Sequence, residues 1–352
     1  MNSVLFTKSE IRAILTVTSK KRIPLTDFAT TFGEDEIKKI GKLTGIEAVT
    51  VAEEGKTSSD YCCEAAKLLF GKVGLTGKDI EGLVYVTETP DHIIPATAPT
   101  LQDRLGIPTN TINFDLRCSC PGFVYGLFQS SMLIESGCCN NVLLMVGNTS
   151  SRLVNPQDRA LLMVTGDAAC AALITKSDVA SPSTFSFFVD GGKFKSIYIP
   201  AGGSRMPIKK GVTDILEFDN DRNGHTLENL MMDGMEVMLF AIREGKNLCS
   251  DVMKRMNWSV DDVDLFALHQ ANKMMVTRIA KGLKADMKKV PISVKDTGNC
   301  GLASIPLTLC NTFDGVNPQL KRVVICGYGS GLIAAAGAID LSKTDIVKTQ
   351  IV

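Results

Sequence analysis

The chain has 352 residues, enough for one large or two medium domains with a substantial buried core. Lys plus Arg and Asp plus Glu balance at 38 each, which excludes a global electrostatic hold on nucleic acid or an anionic membrane. With 45% hydrophobic and 22% charged residues and no apolar run of spanning length, a soluble globular protein with no membrane partner is expected.

Residues 1–15, MNSVLFTKSEIRAIL, carry Glu10 and no sustained apolar run, so no secretory signal is expected and the location reads as cytoplasmic. SSDYCCEAAKLLFGKVG (58–74) reads as a helix. LTGKDIEGLVYVTET (75–89) is a helix stop followed by a strand. The strand-like TINFDL leads through Arg117, Cys118, Ser119 and Cys120 into the helical GFVYGLFQSSMLIESG. VLLMVG (142–147) and VVICGYG (323–329) are short β-rich runs that end at glycine. Residues 181–214, rich in Gly, Ser and Pro, read as an irregular connection. Residues 226–256 read as one long helix, and DLFAL before His269 as a strand. This alternation predicts an α/β fold whose helices cover mostly parallel sheet.

A weak repeat runs through the pattern. Asp79 matches Asp262, 183 residues on, and Val142 matches Val323, 181 residues on. The two offsets nearly agree, which predicts duplicated halves over 1–180 and 215–352, joined by 181–214.

Eleven cysteines, an odd number without Cys-x-x-Cys spacing, read as reduced thiols packed as small hydrophobes, and no metal site is expected. The stretch CSCPGF leaves three possibilities: metal ligands, a redox pair, or one reactive thiol beside a structural one. Pro121 suits the first position of a helix. Cys120 then falls at the helix cap, where the positive end of the dipole lowers a thiol pKa. Of only three histidines, His92, His225 and His269, the last closes a strand. Asn299, in DTGNCGLASIP, precedes the helix that corresponds to the one after Cys120. It could equally hold a turn or cap that helix. GYGSG (327–331) permits close backbone approach but lacks the spacing of a phosphate or dinucleotide loop. Sites in α/β sheets gather at the carboxyl ends of strands. Two copies of one strand–helix junction facing each other would bring Cys120, His269 and Asn299 into one pocket.

Six stretches taken in order, KLTGIEAVTVA, FDLRCSCPGFVYGL, NPQDRALLMVTGDAACAAL, ALHQAN, DTGNCGLASIPLTL and GYGSG, resemble the thiolase-like condensing enzymes. The closest likeness is to the β-ketoacyl-[acyl-carrier-protein] synthase III group. The resemblance implies a thiolase-like fold of two pseudo-symmetric halves in αβαβα layers. It implies an acyltransferase of fatty-acid biosynthesis in which Cys120 is acylated and His269 and Asn299 complete the set. Backbone N–H groups of Cys120 and of the loop at Gly329 and Ser330 would hold the first oxyanion. A malonyl thioester would then lose carbon dioxide and attack the acyl-cysteine. No metal or organic cofactor is implied; the partners are acyl carrier protein, CoA thioesters and a second copy of the chain in a homodimer.

By the same resemblance Ile94 limits acyl-chain length across the dimer, and Arg159, Met238, Ala271 and Asn272 lie along the substrate's arms. Lys39 and Leu43 stand where relatives carry the tryptophan and arginine that grip the CoA adenine, which favours a carrier-protein donor. Lys273, Arg278, Lys281 and Lys284 form a basic run suited to an acidic carrier protein, or simply to solvent. Arg117, Cys118 and Ser119 stand where small alanines are usual, and Ser330 interrupts the glycine loop. These departures suggest a specialised member. The alternatives are a condensing enzyme or acyltransferase of secondary metabolism, a non-catalytic partner subunit of an active paralogue, and a Cys118–Cys120 redox sensor, whose bridge would be strained.

Overall fold

The two β-rich runs that end at glycine become central strands, because nearly every side chain in them is apolar and neither face has to meet water. A computed structural model describes residues 4–313 and 319–352. The first three residues of the amino-terminal stretch, 1–3, thus lie outside the described residues. The principal elements of the first half are β1 (Ser9–Thr18), α1 (Ser58–Val73), β2 (Gly82–Val86), β3 (Ile112–Leu116), α2 (Gly122–Glu135), β4 (Asn141–Asn148) and β5 (Ala168–Lys176). Those of the second are β6 (Ser183–Val189), α3 (Gly234–Arg255), β7 (Leu265–Leu268), α4 (Lys273–Leu283), α5 (Ser304–Phe313), β8 (Val323–Gly329) and β9 (Ile333–Ile339).

The sheets repeat one topology. The first runs β1-β5-β4-β2-β3 and the second β6-β9-β8-β7. In the parallel pair β2–β4, Gly82 faces Val142; in the parallel pair β7–β8, Leu265 faces Val323. These registers lie at the same offsets that the repeat showed. The local chemistry repeats too: the Asp79 carboxylate accepts from Thr76 N–H (2.8 Å), and the Asp262 carboxylate accepts from Ser259 N–H (2.8 Å). Each sheet is completed by a strand from the far end of the chain. Leu5–Phe6 pairs with β6, and Asp345–Ile346 and Gln350–Ile351 pair with β1.

Helices α2 and α5 pack between the two sheets, α1 covers the outer face of the first, and α3 and α4 cover the outer face of the second. The result is five layers, αβαβα, with separate apolar cores on either side of each sheet. The inner helices meet sheet on both sides, so they need small residues. A Cβ at Gly126 would lie 2.5 Å from Leu144 Cδ1, a distance no packed methyl tolerates.

Three local expectations differ. The sheets are mixed rather than mostly parallel, because only Ser330, Gly331 and Leu332 join β8 to β9, and so short a link permits only an antiparallel return. The helix expected over 226–256 starts at Gly234. Asp233 stops it there, accepting from Glu236 N–H, while Met231–Met232 pair with Ile197–Tyr198. Within 181–214, Ser183–Val189 is an ordered strand hydrogen-bonded to β9. Its polar-sided, Phe-rich pattern reads as irregular until the sheet supplies its partners.

Candidate active site

The strand β3 ends at Leu116, and five residues carry the chain across the sheet edge to α2. The helix begins at Gly122 with Pro121 as its N-cap, one residue later than the proline suggested. Cys120 therefore stands just outside the first turn, partly exposed, while Cys118 is buried. Burial, reinforced by the Glu88 carboxylate, pushes the Cys120 thiol up to about 12, the reverse of the lowering that a helix cap suggests. The resting group is a thiol. Burial likewise pushes Cys118 up to about 12, which suits a packed, inert residue.

The end of β8 lies against this turn. A Cβ at Gly329 would fall 2.5 Å from Ser119 Oγ and 3.1 Å from both Cys120 N and Cβ, so only glycine lets the two backbones meet. The Ser330 N–H, expected to face an oxyanion, donates instead to Ser119 Oγ at 3.1 Å. Ser330 Oγ–H donates to Glu88 (3.0 Å), and Asn148 holds the same carboxylate from β4 (3.3 Å).

His269 follows β7, and its N–H donates to Cys326 O on β8 (2.7 Å). Its ring is buried, 1% exposed. Nδ1 lies 2.6 Å from Ser304 Oγ at the start of α5. The Tyr328 ring stands edge-on at 5.1 Å, and its hydroxyl donates to His269 O (3.2 Å). Burial lowers the His269 pKa to about 4, against an opposing hydrogen bond with the Gly301 backbone. The imidazole is therefore neutral near pH 7.

Asn299 sits on a bridge to Thr165: its N–H donates to Val164 O (2.7 Å), and its carbonyl accepts from Gly166 N–H (2.9 Å). Its side-chain Oδ1 accepts from Gly301 N–H (3.0 Å), which fixes the amide so that Nδ2 remains a donor. Leu302, just beyond, packs against Gly122 at the start of α2. The three junctions thus converge: Tyr328 and Gly329 join His269 to Cys120, and Leu302 joins the Asn299 turn to the Cys120 helix. A small apolar cleft, lined by Phe28, Val49, Val51, Leu162 and Thr165 among others, reaches Thr165, the bridge partner of Asn299.

Arg159 opens the short helix Arg159–Leu162 and pairs with Glu36 at 3.7 Å, so its charge is already partnered. Met238 packs half-buried on α3, Ala271 half-buried against the same core, and Asn272 caps α4 by accepting from Met275 N–H (2.9 Å). Lys273, Arg278, Lys281 and Lys284 are all exposed on or just after α4. No ion pair among the described residues takes any of them. Ile94 is 86% exposed, next to Ile93 at 93%, and so lines no pocket of its own chain. No group of three or more His, Cys, Asp or Glu among the described residues is placed to hold a metal, and no helix is long and apolar enough to cross a membrane. Ser304, Tyr328 and Glu88 escaped the sequence reading. Only Glu88 left a signal, a lone acid closing the apolar strand LVYV.

Two interleaved halves with a Cys, a neutral His and an Asn at matched strand–helix junctions define a thiolase-like condensing enzyme, one that transfers acyl groups. Residues 114–191 match the family profile described as 3-oxoacyl-[acyl-carrier-protein] synthase III, and residues 253–341 match its C-terminal counterpart. A β-ketoacyl-[acyl-carrier-protein] synthase III of Clostridioides difficile is 33% identical over 301 residues, 85% of this chain and 88% of the relative. One from Streptomyces coelicolor is 32% identical, covering 86% of this chain and 89% of its own. The solved 3-oxoacyl-(acyl-carrier protein) synthase of Burkholderia xenovorans superposes with a TM-score of 0.92 at 26% identity, over 100% of this chain and 99% of that one. The chain belongs to the β-ketoacyl-[acyl-carrier-protein] synthase III family.

Proposed function

We propose that this chain joins an acyl group to Cys120 and condenses it with a malonyl thioester, giving a 3-oxoacyl thioester and carbon dioxide. What supports the reading is a neutral His269 and an Asn299 amide fixed by Gly301 N–H, on turns joined to the Cys120 turn through Tyr328, Gly329 and Leu302. In the first half-reaction Cys120 Sγ attacks the donor thioester, and a covalent intermediate splits one hard step into two easier ones. The Cys120 N–H stabilises the oxyanion. For the second half-reaction we take the neutral tautomer in which His269 Nδ1 accepts from Ser304 Oγ–H, 2.6 Å away, and Nε2 carries the ring proton. His269 Nε2–H and Asn299 Nδ2–H then donate to the malonyl thioester carbonyl, stabilising the enolate left by decarboxylation. Each such donor is typically worth about 3 kcal/mol of barrier. These steps need no metal or organic cofactor.

The apolar cleft beside Thr165 supports a pantetheine arm reaching Asn299 from the side of Arg159, with Met238, Ala271 and Asn272 along the approach. Lys273, Arg278, Lys281 and Lys284 are exposed and take no ion pair among the described residues, which supports docking of an acidic acyl carrier protein. Two adjacent isoleucines, almost fully exposed, favour a homodimer in which Ile94 enters the partner's acyl site. A cytoplasmic location fits a reduced Cys120.

Intact-protein mass after incubation with acyl-CoA and acyl-carrier-protein donors tests the reading, with Cys120→Ala as control. An adduct absent from Cys120→Ala and chased to 3-oxoacyl product by malonyl-carrier protein is expected. An adduct that malonyl thioester cannot clear would reassign the chain to plain acyl transfer.

A further inference from the structure

Among the departures from the family pattern, Ser119 touches the nucleophile directly. Its side chain is buried, 5% exposed, and its hydroxyl donates to Cys120 Sγ across 3.7 Å, a reach suited to the large sulfur atom. Two neighbours hold the hydroxyl in that direction. Ser330 N–H donates to Ser119 Oγ (3.1 Å) and so occupies one of its lone pairs. Gly329 packs so close that a Cβ there would lie 2.5 Å from the same oxygen. Ser330 is tethered in turn: its Oγ–H donates to Glu88 Oε1 (3.0 Å), and Asn148 Nδ2–H on β4 donates to Glu88 Oε2 (3.3 Å).

These donors run in one direction. From Ser330 N–H to Ser119 Oγ–H to Cys120 Sγ each hydrogen bond polarises the next, and the chain ends on the reacting atom. A thiol sulfur accepts weakly; a thiolate is a charged acceptor, so this contact strengthens as the sulfur ionises. The surroundings otherwise oppose ionisation. Desolvation and the Glu88 carboxylate push the thiol up to about 12. The other titratable groups that face the sulfur, Cys118 on its own turn and Tyr328 on β8, become negative if they ionise, and Arg117 acts on Glu88. The Cys120 N–H also favours the thiolate, but the acyl oxyanion claims that donor during attack. Ser119 is then the donor left on the sulfur.

We propose that Ser119 is a further catalytic residue whose hydroxyl, oriented by Ser330 N–H, stabilises the Cys120 thiolate, an inference that rests on Cys120 being the acylated residue. The thiol proton leaves to solvent water, which the partly exposed Cys120 reaches. Sγ then bonds the acyl carbon, the donor's C–S bond breaks, and the departing thiolate takes a proton from water, so protons and charge balance over the exchange. Ser119 keeps its own proton throughout. In the second half-reaction the bond from Sγ to the acyl carbon breaks as the enolate attacks, and the thiolate is now the leaving group. The same hydroxyl therefore assists both half-reactions. Ser330 acts through Ser119 and is a positioning residue.

The test is the rate at which iodoacetamide alkylates Cys120 in the wild type and in Ser119→Ala, read residue by residue by tandem mass spectrometry from pH 7 to 10. Losing a hydrogen bond to the charged sulfur raises its pKa by about one unit, which leaves roughly tenfold less thiolate. The more basic thiolate is the better nucleophile, so the net loss in rate is about threefold. Ser119→Ala should therefore alkylate at Cys120 about threefold more slowly or worse at every pH in this range. Exposed Cys138 and buried Cys118 serve as internal controls, the first keeping its rate and the second staying protected. The sign decides, because a site merely loosened by the substitution would react faster at both Cys118 and Cys120. Alkylation of Cys120 in Ser119→Ala at the wild-type rate or faster overturns the proposal. Acyl-adduct formation and its clearance by malonyl thioester, followed on the same two proteins, separate the two claims. A Cys120 that alkylates more slowly in Ser119→Ala but takes no acyl group even in the wild type refutes the condensing reading alone. A wild type that forms and clears the adduct, beside a Ser119→Ala that alkylates no more slowly, refutes the role of Ser119 alone.

Discussion

Lowering the pH from 7 to 4 isolates one buried side chain, His269. Its ring is 1% exposed, and burial lowers its pKa from 6.5 to about 4. The unfolded chain protonates this histidine as pH falls through about 6.5, whereas the folded chain resists until about 4. The folded state thus binds fewer protons across that window, and stability present above pH 6.5 is lost progressively down to pH 4. At 1.36 kcal/mol per pH unit the loss is about 3 kcal/mol. At pH 7 roughly one ring in a thousand is charged, so His269 works as a neutral imidazole. Carbon-13 labelling of histidine Cε1 gives a direct assay, since the chain has only His92, His225 and His269. The His269 resonance should stay flat until pH falls near 4. Urea denaturation at pH 7, 6 and 5 should show His269→Gln losing less stability than the wild type over the same interval. A His269 resonance titrating near 6.5, or parallel stability losses in both proteins, would refute the argument from burial.

Three further outcomes are expected. Ser304→Ala removes the 2.6 Å partner of His269 Nδ1, so decarboxylation should slow by tenfold or more while acyl-adduct formation at Cys120 keeps its rate; stopped-flow carbon dioxide release and intact mass separate the two. Gly329→Ala forces a methyl to within 2.5 Å of Ser119 Oγ and against the Cys120 backbone, an overpacking cost of about 1–3 kcal/mol; acylation should fall at least tenfold with the melting temperature lowered by a few degrees. Reversing charge in Lys281→Glu with Arg278→Glu should raise KM for a carrier-protein substrate several-fold, leave KM for a short pantetheine thioester unchanged, and abolish the salt dependence of the former.

Periodicity and punctuation made much of this architecture legible beforehand. The runs at 142–147 and 323–329 are strands, the stretch at 58–74 is a helix closed by a left-handed Gly74, and the repeat offsets reappear as strand registers. Such features are local: an apolar run, a cap or a turn carries its own physics. Cys120, His269 and Asn299 could be singled out because the sequence sets each near the end of an expected strand or the start of an expected helix, where side chains reach beyond the sheet.

What the linear chain left undetermined depends on neighbours far away in it. The direction of β5 and β9 within their sheets, the exchange of terminal strands between halves and the strand Ser183–Val189 exist only as pairings between distant segments. The ionisation of the site is of the same kind. A helix start by itself suggests an acidic Cys120, but desolvation of the thiol and the nearby Glu88 reverse the sign. Ser119 reads as a small residue before a nucleophile until β8 delivers the Ser330 N–H to its hydroxyl oxygen. Residue type and spacing determined which groups are present; desolvation and hydrogen bonding that only the folded chain supplies decided which of them hold a proton.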